Sequence, residues 1–340
     1  MLIELTDAYK PQKILYRDKQ VAEIKNLFNN FREYKISNNI FIMGVTGSGK
    51  TLTINKIIEE EDPESYLYVS GTDRTSTKTF KKLFGLKCSI TSKILDEATK
   101  NLKIKPKILI IDEVNKIKDL NNLFDNLNTI FRETGCPIIL ISNKRTIISK
   151  MPEDARKTLF FSKVEFPSYN ASELKGILLD RISLIINKIP PFDENALNYI
   201  CAIGAREGSA RIVLNLTSKC VSANNFSQDF IDQIRISMIE DDWGSFIFGL
   251  SDNEKKFLEI LLDLYKKRKY VTTTDIINKM RNLSPPRISQ LITIMNDYGL
   301  IETEYKNLGR GGGRMRIIRF ASDEVYQRLN KIVINLVGDL

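Results

Sequence analysis

Residues Gly44-Val45-Thr46-Gly47-Ser48-Gly49-Lys50-Thr51 fit the pattern GxxxxGK[ST] in full. An apolar run, Ile40–Met43, precedes them and an amphipathic stretch, Thr51–Ile58, follows. That is the strand–loop–helix setting such a loop requires. Its glycines let backbone N–H groups turn onto phosphate oxygens at a helix N-terminus, where the dipole favours anions. Lys50 is then expected to reach the β/γ-phosphates, and the Thr51 hydroxyl to ligate magnesium. A strand behind the loop and a helix in front commit this part of the chain to a helix-covered parallel sheet.

The rest of the first 168 residues agrees with that commitment. Asn39–Met43, Tyr66–Ser70, Ile108–Ile111 and Ile138–Ser142 read as strands, and Lys19–Phe31, Lys50–Glu61, Ser92–Thr99 and Leu120–Glu133 as helices. The run Lys107–Ile111 ends in Asp112-Glu113. After a phosphate-binding loop, such a pair has assignable roles: Asp112 in the magnesium shell and Glu113 on the attacking water. Asn143 ends the next strand and is expected beside that water, although an Asn after a strand is also an ordinary turn former. Spacing alone puts neither Arg156 nor Arg211 on a phosphate.

Composition removes other chemistries. The 340 residues contain no histidine, which excludes Ser-His-Asp triads and His-ligated zinc. Cys88, Cys136, Cys201 and Cys220 lie far apart with no CxxC pair, the pattern expected of reduced thiols in a cytoplasmic protein. No apolar run approaches the roughly 18 residues of a membrane span, and no secretory signal is visible at the N-terminus. The net charge is +9 and unevenly spread. Residues 250–340 hold 16 Lys+Arg against 11 Asp+Glu, a net of +5, while the other 249 carry only +4.

Beyond Ser168 the strand signal stops. Helical periods run through Ala171–Ile186, Asp193–Ala205, Ser209–Ser222 and Gln228–Glu240, an all-helical segment that ends near Gly249. Ser251–Lys266 then reads as an amphipathic helix and Thr274–Met280 as a short one. A third begins at Ser284-Pro285, with Ser284 in N-cap position and Pro285 at the first turn. In that helix Ile288, Leu291, Ile292 and Met295 must face a core. Arg287, Gln290, Thr293 and Asn296 share the other face, where they can bond base edges and phosphates. Two strands, Ile301–Tyr305 and Met315–Phe320, flank a glycine-rich tip. The whole reads as a winged helix whose wing carries Arg310, Gly311, Arg314 and Arg316, an arm able to enter a minor groove. Winged helices also dock proteins; the basic cluster on the helix and wing favours nucleic acid.

Taken together these residues resemble the archaeal and eukaryotic origin-recognition initiators of the AAA+ class. Tyr16-Arg17-Asp18 resembles that family's adenine-side box. Asp154-Ala155-Arg156-Lys157 with Phe166-Pro167-Ser168-Tyr169 resembles its arginine-finger segment and the start of its lid. Gly208-Ser209-Ala210-Arg211 is similar to its second sensor, and Gly309-Arg310-Gly311 to its wing. The resemblance implies three domains: an ATPase core over 1–168, a helical lid over 169–248 and a DNA-binding winged helix over 249–340. It also implies bound ATP or ADP with magnesium, a nucleotide site including Tyr16, Arg17 and Tyr169, a first sensor at Asn143, a finger at Arg156 and a second sensor at Arg211. Duplex origin repeats, paralogous initiators and the replicative helicase are the implied partners, at the nucleoid and not at a membrane. The chain departs from the family in reading Asp112-Glu113-Val114-Asn115 where DExD is usual, and it lacks the serine pair after the finger arginine. Archaeal members carry a DNA-touching helical insertion, for which Thr77–Phe84 with Lys78, Lys81 and Lys82 is the counterpart. Three other activities fit the same residues: a P-loop ATPase regulating transcription or signalling, a helicase loader on single strands, and a protein that binds ATP without cleaving it.

Overall fold

The computed structural model describes residues 2–338 apart from 7, 73–74, 88–89, 189–192, 281–282 and 308–313. They fall into two compact units, Met1–Ile231 and Asp232–Leu340.

In the first unit, α1 (Asp18–Tyr34) leads into β1 (Asn39–Met43), and α2 (Lys50–Glu60) starts directly after the glycine loop. Next come β2 (Tyr66–Ser70), α3 (Ser76–Leu83), α4 (Thr91–Ile104), β3 (Ile108–Asp112), α5 (Leu120–Thr134) and β4 (Ile138–Ser142). A short α6 (Glu153–Thr158) and β5 (Phe161–Glu165) complete the sheet. Its five strands lie in the order β2-β3-β4-β1-β5, all parallel. Every residue of β3 and of β4 is buried, as expected of strands covered on both faces. One layer packs Phe80, Ile94, Phe124 and Leu127 on the sheet; the other packs Ile24, Phe28, Ile54 and Ile57.

The differences from sequence reading have simple causes. Phe161–Glu165 is an edge strand with only Phe161 and Val164 buried, too mixed in polarity to stand out. The helix expected over Ser92–Thr99 runs on to Ile104 because Ile94, Ala98 and Leu102 keep one buried stripe.

Three helices follow in the same unit: α7 (Ala171–Ser183), α8 (Glu194–Glu207) and α9 (Ala210–Ala223). Asn170 and Glu173 form a capping box at α7. Gly208, at φ +65°, ends α8, and a Cβ there would strike the side chains of Ser168 and Val45.

The helix α10 (Gln228–Phe248) spans the division between the units. The second unit continues with α11 (Asp252–Arg268), β6 (Val271–Thr272), α12 (Thr273–Lys279), α13 (Pro285–Asp297), β7 (Ile301–Asn307), β8 (Arg314–Phe320) and α14 (Asp323–Gly338). Its strands form an antiparallel sheet in the order β6-β8-β7. Ile288, Leu291, Ile292 and Met295 are fully buried in its core with Phe257, Leu261 and Ile318. The N-cap position of α13 is Ser284, whose side chain makes no capping bond; Pro285 takes the first turn. The strand β6 and the helix α14 had not been expected.

Candidate functional site

The parallel topology collects the carboxyl ends of β1 to β4 on one side, where α/β sheets place their ligands. A cleft of about 470 Å³ opens there. Thr46, Gly47, Gly49, Lys50 and Thr51 line it; Gly44, Val45 and Ser48 of the same loop do not. The Lys50 ammonium folds back onto the loop, donating to the carbonyls of Gly44 at 2.8 Å and Val45 at 2.7 Å. Burial lowers its pKa to about 8, with Asp112 opposing the shift and the charges of Arg211 and Arg17 adding to it.

Asp112, buried at the end of β3, accepts from the Thr51 hydroxyl at 2.6 Å and from the Tyr68 hydroxyl at 3.0 Å. Burial, then the Asp112 charge, raises the Tyr68 pKa. The paired oxygens of Thr51 and Asp112 fit magnesium, a hard cation that takes one or two protein oxygens and completes its shell with phosphates and water. Glu113 adopts the left-handed conformation at φ 52°. Its carboxylate accepts from the Ser70 hydroxyl at 3.0 Å, the Thr72 hydroxyl, and the Lys116 ammonium at 2.6 Å. Burial pushes its pKa up, but Lys116, Thr72 and Ser70 together hold it below the usual range. Asn115, at the variant fourth position, accepts from the Ser142 hydroxyl at 3.1 Å. Asn143 donates to Thr46 at 3.3 Å and so lies against the loop.

The lid helices reach the same cleft. Arg211 and Leu214 of α9 line it, as does Tyr169 at the start of the lid. The backbone N–H of Ala210 donates to the Gly47 carbonyl at 3.2 Å. Gly47 has φ +80°, and a Cβ there would collide with Ser209.

Three residues expected at the site, Arg17, Tyr16 and Arg156, do not line the cleft. Arg17 does not line the cleft: it is 1% exposed, and its guanidinium is spent on main-chain carbonyls. It donates to Ser48 at 3.0 Å, Tyr16 at 2.9 Å and Pro167 at 2.7 Å, and lies 3.7 Å from the Tyr169 ring centroid. Arg17 therefore joins the phosphate loop to the start of the lid. Nor does Tyr16 line the cleft; its hydroxyl packs on Gly176 of α7. Arg156 is also elsewhere, donating to the carbonyls of Ser149 at 3.0 Å and Met151 at 2.9 Å.

Sequence reading missed several neighbours of the site. Ser70 faces Asp112 in the β2–β3 register, which follows from strand order and not from any local motif. The segment from Tyr9 to Leu15 forms a wall of the cleft, and Arg181 of α7 faces into it.

In the second unit Arg287 and Gln290 are exposed on α13, opposite the buried stripe. Arg287 donates to Gln290 at 2.6 Å and pairs with Glu254 at 3.0 Å. Arg314 is exposed at the start of β8; Arg316 is half-buried and donates to Thr303 at 3.4 Å. Arg310 and Gly311 lie outside the described residues. On α3, in the first unit, Lys78 and Lys82 are exposed and Lys81 is half-buried. Among the described residues no helix is long and apolar enough to cross a membrane.

Comparison with known proteins agrees with this geometry. Residues 37–165 match the AAA domain family. ORC1-type DNA replication protein 1 of Sulfurisphaera tokodaii is 24% identical over 89% of this chain and 85% of its own length. An ORC1-type DNA replication protein of Methanosphaera stadtmanae is 27% identical over 94% of this chain and 92% of its own. The structure of the Aeropyrum pernix ORC1 protein in complex with DNA superposes with a TM-score of 0.80 at 17% identity, covering 98% of this chain and 96% of that one. The chain thus carries an AAA domain, is similar along some nine-tenths of its length to ORC1-type DNA replication proteins, and shares the fold of the Aeropyrum pernix protein.

Proposed function

We propose that the chain is an ATP-dependent replication initiator that binds duplex origin DNA and helps to load the replicative helicase, with slow ATP hydrolysis acting as a switch. The observation that carries this reading is the composite cleft. The phosphate loop, Asp112, Glu113 and Asn143 come from the core, while Arg211 comes from α9 of the lid. A nucleotide held there touches both, so its phosphate content can bias their arrangement.

In this reading residues 1–168 are the ATPase core, 169–248 the lid and 249–340 the DNA-binding winged helix. Loop N–H groups and Lys50 hold the phosphates. Thr51 and Asp112 hold magnesium, which when bound neutralises phosphate charge. Glu113 orients the attacking water once released from Ser70, Thr72 and Lys116, and Asn143 lies beside that water. Arg156 lies outside this chain's cleft, so a finger role requires the nucleotide of a second copy or of a paralogous initiator. Arg287 and Gln290 face duplex DNA, Arg310, Gly311, Arg314 and Arg316 form the wing contact, and Lys78, Lys81 and Lys82 add phosphate contacts. Asp112 in place of a longer acidic run still supplies the oxygen magnesium needs.

The test is a footprint of the ATP-loaded protein on the intergenic DNA beside its own gene, with Arg310→Ala and Arg287→Ala as controls. A protected repeat that weakens by roughly 1–3 kcal/mol in either variant supports sequence-specific duplex binding. No protection at low salt would remove the initiator reading and leave an ATPase whose winged helix docks a regulatory partner.

A further inference from the structure

In the second unit one exposed cation is held from behind. Arg287 is the third residue of α13, and its Nη2 pairs with Glu254 of α11 at 3.0 Å. Glu254 has little freedom. Its side chain is 15% exposed, and its other oxygen accepts from the Ser251 backbone N–H at 2.9 Å and the Ser251 hydroxyl at 2.8 Å, the capping box of α11. Just beyond that box, Phe257 and Leu258 pack in the same core as Ile288 and Leu291 of α13. The carboxylate is thus tied to the scaffold through one oxygen and to Arg287 through the other.

Arg287 passes that constraint on to Gln290. Its Nη1 donates to the Gln290 side-chain oxygen at 2.6 Å. A guanidinium has donors only, so the amide oxygen is the atom that meets it, and the two N–H donors of Gln290 are left unengaged by Arg287. Both residues are exposed, on the face of α13 opposite its buried stripe. Their joint edge is therefore rich in donors, with its side-chain acceptor already facing a cation. In the major groove guanine presents two acceptors, N7 and O6, and no donor. Adenine and cytosine would set an amino group against these donors, and thymine offers one acceptor beside a methyl. A recognition helix reads base edges with its N-terminal residues, where this pair stands. The Glu254 charge offsets that of Arg287, which weakens its pull on phosphate and leaves its remaining N–H groups for base acceptors.

We propose that Arg287 and Gln290 form a donor pair that reads a guanine in the major groove, and that Glu254 is the positioning residue that holds the pair in its plane. This rests on the reading of the second unit as a duplex-binding winged helix and deepens it by naming the base.

The experiment is enrichment of a random-sequence duplex library on the ATP-loaded full chain and on Arg287→Met, Gln290→Ala and Glu254→Gln, then titration with the enriched duplex and a scrambled one. Glutamine also closes a capping box, so Glu254→Gln removes the charge and keeps the helix end. Wild type should enrich a site with a fixed guanine, and 7-deazaguanine at that base should weaken binding roughly ten-fold or more. Arg287→Met and Gln290→Ala should each erase the preference for guanine at that same base, roughly five- to hundred-fold against adenine in the wild type. Glu254→Gln should shrink that preference while affinity for the scrambled duplex at low salt rises about two- to five-fold through the unmasked charge. A carboxylate that only steadied the fold would lower both affinities together. A fixed adenine at the base that Gln290→Ala erases, or a guanine preference intact in Arg287→Met, overturns the proposal. So does indifference of the wild type to 7-deazaguanine at every enriched guanine, which decides the question even where a variant fails to fold. No enrichment by the wild type would sink the duplex-recognition reading itself, on which the donor pair depends.

Discussion

Arg17 offers the sharpest separation between a residue that touches nucleotide and one that builds the site. Replacing it by Met keeps the stem's bulk but removes donors from the carbonyls of Ser48, Tyr16 and Pro167 and the cation from the Tyr169 ring. Each charge-assisted bond is worth about 1.5–3 kcal/mol in isolation. The three share one group and are not additive. Leaving a buried carbonyl without its donor costs about 1–3 kcal/mol, and for three coupled carbonyls we expect about 3–5 kcal/mol. Because the chain has two units, a single unfolding curve would mix them. Native-state hydrogen exchange on the nucleotide-free protein separates them by peptide. The opening free energy of β1 and β4 should fall by about 3–5 kcal/mol, while that of α11 and β8 stays unchanged. ATP affinity should fall too, because Ser48 belongs to the phosphate loop. Arg17→Lys should rescue little, since one ammonium cannot span three carbonyls in a fork. The reasoning fails if β1 and β4 lose less than about 1 kcal/mol while ATP binding is abolished; Arg17 would then contact nucleotide directly.

Other consequences follow from the same cleft. Lys50 titrates near 8 in the free protein, below an ordinary lysine near 10.5. A bound polyphosphate raises that value again, so ATP binding above pH 8 should take up a proton, and affinity should fall as pH climbs to 9.5. Lys50 should contribute the opposite trend to nucleotide-free stability. Between the folded value near 8 and the unfolded value near 10.5 the unfolded chain binds more protons, so stability gains with rising pH there. Calorimetry in buffers of different ionisation enthalpy checks the uptake, which should vanish in Lys50→Met. Gly47→Ala combines a strained φ with a collision against Ser209; at least a ten-fold loss of ATP affinity is expected. Adding Ser209→Gly should recover part of that loss, and no recovery would mean that strain alone accounts for it. Ser70→Ala with Thr72→Val removes two donors from Glu113. ATPase turnover should rise several-fold with ATP affinity unchanged within two-fold; a fall in turnover would show that these hydroxyls assist the chemistry.

Much of the architecture was legible because its periods are strong. The buried strands β1, β3 and β4 are nearly pure Ile, Leu and Phe runs, and the stripe Ile288, Leu291, Ile292, Met295 could only be one face of a helix. What escaped was marginal in local signal. The edge strand β5 carries only Phe161 and Val164 among polar residues and lacks a period of two, and β6 is two residues long, its Val271 and Thr272 pairing with Ile318 and Ile317. Partners of that kind are supplied by the fold, not by the neighbouring sequence.

The site divides along the same line. Groups that act through the backbone next to them could be read locally: Lys50 and Thr51 follow their loop, and Asp112 ends its strand. Arginines could not, because sequence gives five donors and a long stem but not the direction in which the stem leaves the backbone. Arg17, Arg156, Arg181 and Arg211 look alike as letters, yet each meets a different fate. The first is buried between three carbonyls, the second bonds the turn before α6, and the last two line the cleft from different lid helices. The difference between Arg17 and Arg181 is the instructive one, since both are almost wholly buried and both lie against a tyrosine ring. Arg17 has its donors filled by main chain, so its loss should be felt as stability. Arg181 keeps Nη1 buried without a partner, so its loss should cost the fold less. Satisfaction of the guanidinium, more than its burial, decides how much each of these arginines contributes to the fold.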